Sequence, residues 1–162
     1  MICIQRRHIN EMIDHALEED PNECCGILAG YESDDNPGVR VSDLYKITNS
    51  TPSPYRYVMD PTEQLEAQLD SDRKGTELVA FYHSHTHTPA YPSATDVRMA
   101  LESGWTDFCY VLISLEGDNP IVNFFMIDSN GNISEISFSI RENWFNRYTF
   151  WIKQRLFNRS NS

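Results

Sequence analysis

The chain has 162 residues, 40% of them apolar and 12% aromatic, which suits one domain around one core and excludes a disordered composition. With 24 acids against 13 bases, the formal charge is -11, which disfavours both nucleic acid and anionic membrane surfaces as partners. No apolar run reaches the roughly 18 residues of a membrane span, MICIQRRHIN lacks the apolar stretch of a secretory signal, and Cys3, Cys24, Cys25 and Cys109, with no CxxC pair among them, read as reduced thiols in a cytoplasmic protein.

Residues 2–6 form a short strand candidate. Ile9, Met12, Ile13, Ala16 and Leu17 recur at helical spacing and predict a helix over 8–19, ended by Asp20-Pro21-Asn22. His8 and His15 lie seven apart on it, too far for one metal, and are expected at the surface. ECCGILAGY (23–31) reads as a largely buried strand, SDDNPG as a turn, and 39–48 as a strand. A further strand is expected over 55–59. Pro61 opens a helix at its first position and carries it to Lys74.

ELVAFYHSH (77–85) is an apolar strand that runs into histidines. Ser93 starts a third helix, to Ser103, and 107–115 is a strong strand. Residues 121–127 and 133–138 flank SNGN, where Asn130-Gly131 signals a hairpin. A final helix is expected over 142–157, aromatic-rich and basic. Whether it packs on its own sheet or offers a docking face to a second copy, as a homodimer, stays open. The mixture of hairpins and helices predicts an α+β or three-layer α/β/α domain.

The chemistry concentrates in HSHTHTPAYPSATD (83–96). Residues two apart on a strand share a face, so His83 and His85 project together, as a pair able to grip one zinc ion through ring nitrogens. A catalytic zinc takes a third protein ligand and keeps an open position. Asp96, one turn beyond the helix cap Ser93, can face back over the histidines. The same Ser-x-x-Asp also matches a variant capping box, and that reading is open beside the first. Glu23 follows Pro21-Asn22, where an exposed acid is ordinary. His87 would join the histidines if the strand continued, but Thr88-Pro89 favours a loop, so it is expected to be exposed near the substrate entry.

HSH, seven residues, Ser93, two residues and Asp96, with the upstream PNECCGILAG, resemble the JAMM (JAB1/MPN/Mov34) metallopeptidase family. The resemblance covers residues 2–138 and is nearest to its short prokaryotic branch, which processes ubiquitin-like sulfur-carrier proteins. It implies a central mixed, curved sheet flanked by helices, the cytidine-deaminase-like MPN fold. It divides the chain into a catalytic domain at 1–140 and a C-terminal extension at 141–162. It implies that His83, His85 and Asp96 ligate one zinc, that Glu23 is the general base, and that Ser93 donates to the oxyanion. The implied substrate is a small carrier protein ending in Gly-Gly, from which cysteine or a short extension is released. A deubiquitinase-like isopeptidase and a metal-free MPN scaffold are the alternatives. The scaffold is disfavoured because all five motif residues are present.

Overall fold

A computed structural model describes residues 1–32 and 38–142. The elements are β1 (Ile2–Gln5), α1 (Arg6–Glu19), β2 (Cys25–Glu32), β3 (Val39–Ile47), α2 (Pro61–Lys74), β4 (Glu77–His85), α3 (Ala94–Ser103), β5 (Phe108–Ser114), β6 (Ile121–Ile127), β7 (Ile133–Glu135) and β8 (Phe138–Arg141). The strands form one mixed sheet in the order β7-β6-β5-β4-β2-β3-β1-β8. β4 lies at its middle, antiparallel to β2 and parallel to β5.

Alternation along the strands builds two cores. Leu28, Ala80, Tyr82, Val111 and Phe124 meet Ile9, Met12 and Ala16 of α1. Cys25, Ile27, Phe81 and Tyr110 turn the other way, toward Ala67 of α2 and Ala100 of α3. The layers are therefore α1, sheet, and α2 with α3. Because Phe81 shares its face with His83 and His85, the histidines open on the side of α2 and α3. No helix among the described residues is long and apolar enough to cross a membrane.

Three expectations are corrected. Residues 55–59 form no strand; only an isolated bridge joins Asn49 to Met59. Pro52 and Pro54, which lack the N–H a ladder needs, stand just before that segment. The strand expected over 133–138 is broken in two. β7 pairs with β6, whereas β8 pairs in parallel with β1 at the opposite end of the sheet. Between them the Ile136 N–H donates to the Phe124 carbonyl and the Ile2 N–H to the Ser137 carbonyl. Two residues thus span the distance between the sheet's first and last strands, so the sheet is curled nearly shut.

The third correction concerns His8 and His15, which are buried, 2% and 6% exposed. His8, Met12 and His15 line the inward stripe of α1, while Leu17 is 55% exposed. His15 Nδ1 meets Tyr82 Oη at 2.8 Å. The Tyr82 ring gets there by lying over Gly26, its neighbour on β2; a Cβ at Gly26 would collide with that ring. The helix expected over 142–157, and any dimer through it, lie outside the described residues.

Candidate metal centre

β4 carries its alternation to the last residue, so His83 and His85 point to one face and Ser84 to the other. Ser84 is fully buried. Its Oγ accepts from the Cys24 N–H at 2.8 Å and its own N–H donates to the Cys24 carbonyl at 3.1 Å. This exchange locks the end of β4 to the residue after Glu23. Beyond the strand, the Leu115 N–H donates to the His85 carbonyl and the chain turns away, leaving His87 exposed. Its ring lies 6.4 Å from that of Tyr55.

Asp96 reaches the histidines from α3. Ser93 Oγ accepts from the Asp96 N–H at 3.2 Å, and the Ser93 N–H donates to Asp96 Oδ2 at 2.6 Å. The capping box is therefore formed, and the same carboxylate faces both imidazoles. The two readings of Ser-x-x-Asp are geometrically compatible, because the cap that fixes Asp96 also aims it at the imidazoles.

The three side chains are all buried. His83 Nε2 and His85 Nε2 are 3.2 Å apart. Asp96 Oδ1 is 3.2 Å from the first and Oδ2 3.4 Å from the second. A tetrahedral ion bonded at about 2.0–2.1 Å holds its ligands about 3.3–3.4 Å apart; the two ring nitrogens stand close to that spacing, each faced by a different oxygen of Asp96, and one ligand atom from each residue lies within 4.8 Å of the others. His85 Nδ1 lies 2.9 Å from the Pro89 carbonyl. A carbonyl only accepts, so that nitrogen carries a proton, and Nε2 is the ring atom left to offer a lone pair to an ion. Burial acts against the charge on Asp96, but the two imidazoles, His83 foremost, and the Ser93 side chain hold its carboxyl well below the usual carboxylate range. Burial opposes protonation of His85, yet Asp96 and the Pro89 carbonyl raise it on balance. The donor set of two imidazoles and one carboxylate fits a zinc ion.

The chain belongs to the prokaryotic JAB-domain family. The family described as "Prokaryotic homologs of the JAB domain" matches residues 5–128. The CysO-cysteine peptidase of Mycobacterium tuberculosis is 40% identical over 114 residues, covering 70% of this chain and 73% of its own. A Thermus thermophilus protein named "Probable TtuB-protein conjugate cleaving protease" is 32% identical over 118 residues, 72% of each chain. A solution structure from Desulfitobacterium hafniense superposes with a TM-score of 0.77 at 35% identity, over 88% of this chain and 94% of that one. The mixed, curled sheet with its helices is this family's fold.

Glu23 precedes β2 and is 5% exposed. Its carboxyl is pushed up to about 7, chiefly by burial; His85 opposes the rise and Asp96 adds to it. Two neighbours escaped the sequence reading. Tyr57, 8% exposed, stacks on His83 with ring centroids 4.5 Å apart. Asn49, 9% exposed, sits beneath the loop that carries Tyr57. Tyr55, two residues earlier, is 73% exposed, and nothing local announces that Tyr57 turns inward to meet His83. Thr86 Oγ1 donates to the Pro54 carbonyl at 3.2 Å, tying this loop to the one after β4.

Proposed function

We propose that the chain is a zinc-dependent peptidase that hydrolyses an amide bond at the C-terminus of a small ubiquitin-like sulfur-carrier protein ending in Gly-Gly. The released group is cysteine or a short extension. The observation that carries this reading is the convergence of the buried His83, His85 and Asp96, with ligand atoms within 4.8 Å of one another, near the buried carboxyl of Glu23. The named relatives, one a CysO-cysteine peptidase and the other a conjugate-cleaving protease, support the substrate class.

His83, His85 and Asp96 hold the ion. Zinc in that seat supplies Lewis acidity and lowers the pKa of water toward about 7. Glu23 takes a proton from the attacking water and returns it to the leaving amine. A carboxyl held near 7 suits both transfers close to neutrality. Ser93 Oγ accepts from the Asp96 N–H, which leaves its own hydroxyl hydrogen free to donate to the oxyanion that develops on the scissile carbonyl.

The test is incubation of the zinc-loaded protein with a carrier–cysteine conjugate, with the products weighed by mass spectrometry. Loss of one cysteine mass from the conjugate is expected. The variant Glu23→Gln is expected to keep one zinc per chain and lose turnover by at least about 100-fold. Full activity in that variant would remove Glu23 from its role. A second reading, an isopeptidase acting on carrier–protein conjugates, draws on the likeness to the Thermus protein. Faster cleavage of a lysine-linked conjugate than of carrier–cysteine would favour it.

A further inference from the structure

We propose that Asn49 is a positioning residue for the hydrolysis, holding Glu23 and the Tyr57 loop in register through a single side-chain amide. The inference rests on the hydrolase reading above.

Asn49 follows β3, and its side chain uses every hydrogen-bonding position it has. Nδ2 donates to the Glu23 carbonyl at 2.9 Å and to the Arg56 carbonyl at 3.3 Å. Oδ1 accepts from the Thr51 N–H and the Val58 N–H, each at 3.0 Å. A primary amide offers two donors and two lone pairs, so the group is saturated. These four bonds join the start of β2 to both ends of the 51–58 loop.

Glu23 lies outside the β2 ladder, and its main chain is held by this segment instead. Its N–H donates to the Ser53 carbonyl at 2.9 Å and its carbonyl accepts from Asn49. Tyr57 sits between the two residues, Arg56 and Val58, that Asn49 grips directly, and its ring rests on His83. One side chain thus sets the backbone under the base and the wall behind a metal ligand. A general base must stand within hydrogen-bond reach of the proton it moves, and a misplacement of about 1 Å can cost on the order of 100-fold in rate.

The chemistry of the amide makes the proposal testable. Aspartate at this position keeps both acceptors, and so keeps Thr51 and Val58. It has no donor, so it faces the Glu23 and Arg56 carbonyls with negative charge. Alanine loses all four bonds. The wild type, Asn49→Asp and Asn49→Ala are loaded with zinc and compared for zinc content, melting temperature, kcat and KM on a carrier–cysteine conjugate. We expect both variants to retain one zinc per chain and a KM within about 3-fold of wild type, with kcat lower by roughly 10- to 100-fold. If Asn49→Ala does not fold, the nearly isosteric Asn49→Asp carries the test. Wild-type kcat in Asn49→Asp overturns the proposal, because the donors to Glu23 would then be dispensable. A fall in kcat that comes only with zinc loss and a matching rise in KM also overturns it, since that is general collapse. A wild-type chain that holds zinc and cleaves no conjugate removes the hydrolase reading itself, and this inference with it.

Discussion

Tyr57 lies nearly flat on His83, with ring centroids 4.5 Å apart and planes inclined by 30°. His83 Nδ1 has no hydrogen-bond partner among the described residues. His85 is oriented by the Pro89 carbonyl; His83 is oriented by an aromatic face. Tyr57→Phe is expected to leave metal affinity unchanged. Tyr57→Leu is expected to weaken it by about 10- to 100-fold, the usual effect of losing a residue that orients a ligand. Competition against a chelator of known affinity measures both.

Asp96 closes the capping box of α3 and faces both imidazoles, and one substitution separates the cap from the proposed ligand role. Asparagine can still accept from the Ser93 N–H but brings a neutral oxygen to the imidazoles. Asp96→Asn is expected to fold with its helix start intact and to lose zinc on dialysis, along with activity. Circular dichroism and elemental analysis of one sample decide it. Zinc retained at one per chain would remove Asp96 from the ligand set.

Ser93 is separable in the same way. Its main-chain N–H, not its hydroxyl, holds Asp96 Oδ2. Ser93→Ala should therefore keep its zinc. It should lose about 1 kcal/mol from the missing cap and roughly 100- to 1000-fold in kcat from the missing donor. Turnover within threefold of wild type at full zinc content would assign the hydroxyl to capping alone.

The buried His15 predicts an acid limb of stability independent of the metal. Burial, aided by Lys46, lowers its pKa to about 4, below the value of about 6.5 for an unfolded histidine. As pH falls, the unfolded chain takes up this proton first. The contribution is complete above about 6.5, declines between 6.5 and 4, and levels off below 4. Its full size is up to about 3 kcal/mol. Glu23, raised to about 7, acts the opposite way in much of that window, so the measurement is a difference: the urea midpoint of metal-free wild type relative to that of His15→Gln should decline as pH falls from about 6.5 to 4.

The residues that sequence spacing could place are those whose geometry is local. His83 and His85 follow from strand alternation, and Ser93 and Asp96 from a cap and one helical turn; the structure brings the four together as read. Glu23 was legible only through the family resemblance, because it reaches the site by the pairing of β2 with β4, across 60 residues. Asn49 and Tyr57 stayed hidden for the same reason, since their partners are fixed by the sheet order. The α1 histidines are buried despite their polarity because His8, Met12 and His15 share one helical face. The break after Glu135 leaves one trace in the sequence, because Ile136 and Phe138 stand out of phase with the alternation that Ile133 begins.

That break has a consequence for how the protein is made. β1 is synthesised before the other described strands, yet its pairing with β8 needs Phe138, 136 positions later. Until then the amino-terminal strand can pair on one flank only, and the barrel-like curl cannot complete. Completion of the sheet must wait on Phe138–Arg141, a delay that loop-closure entropy imposes on any strand pairing so distant in sequence.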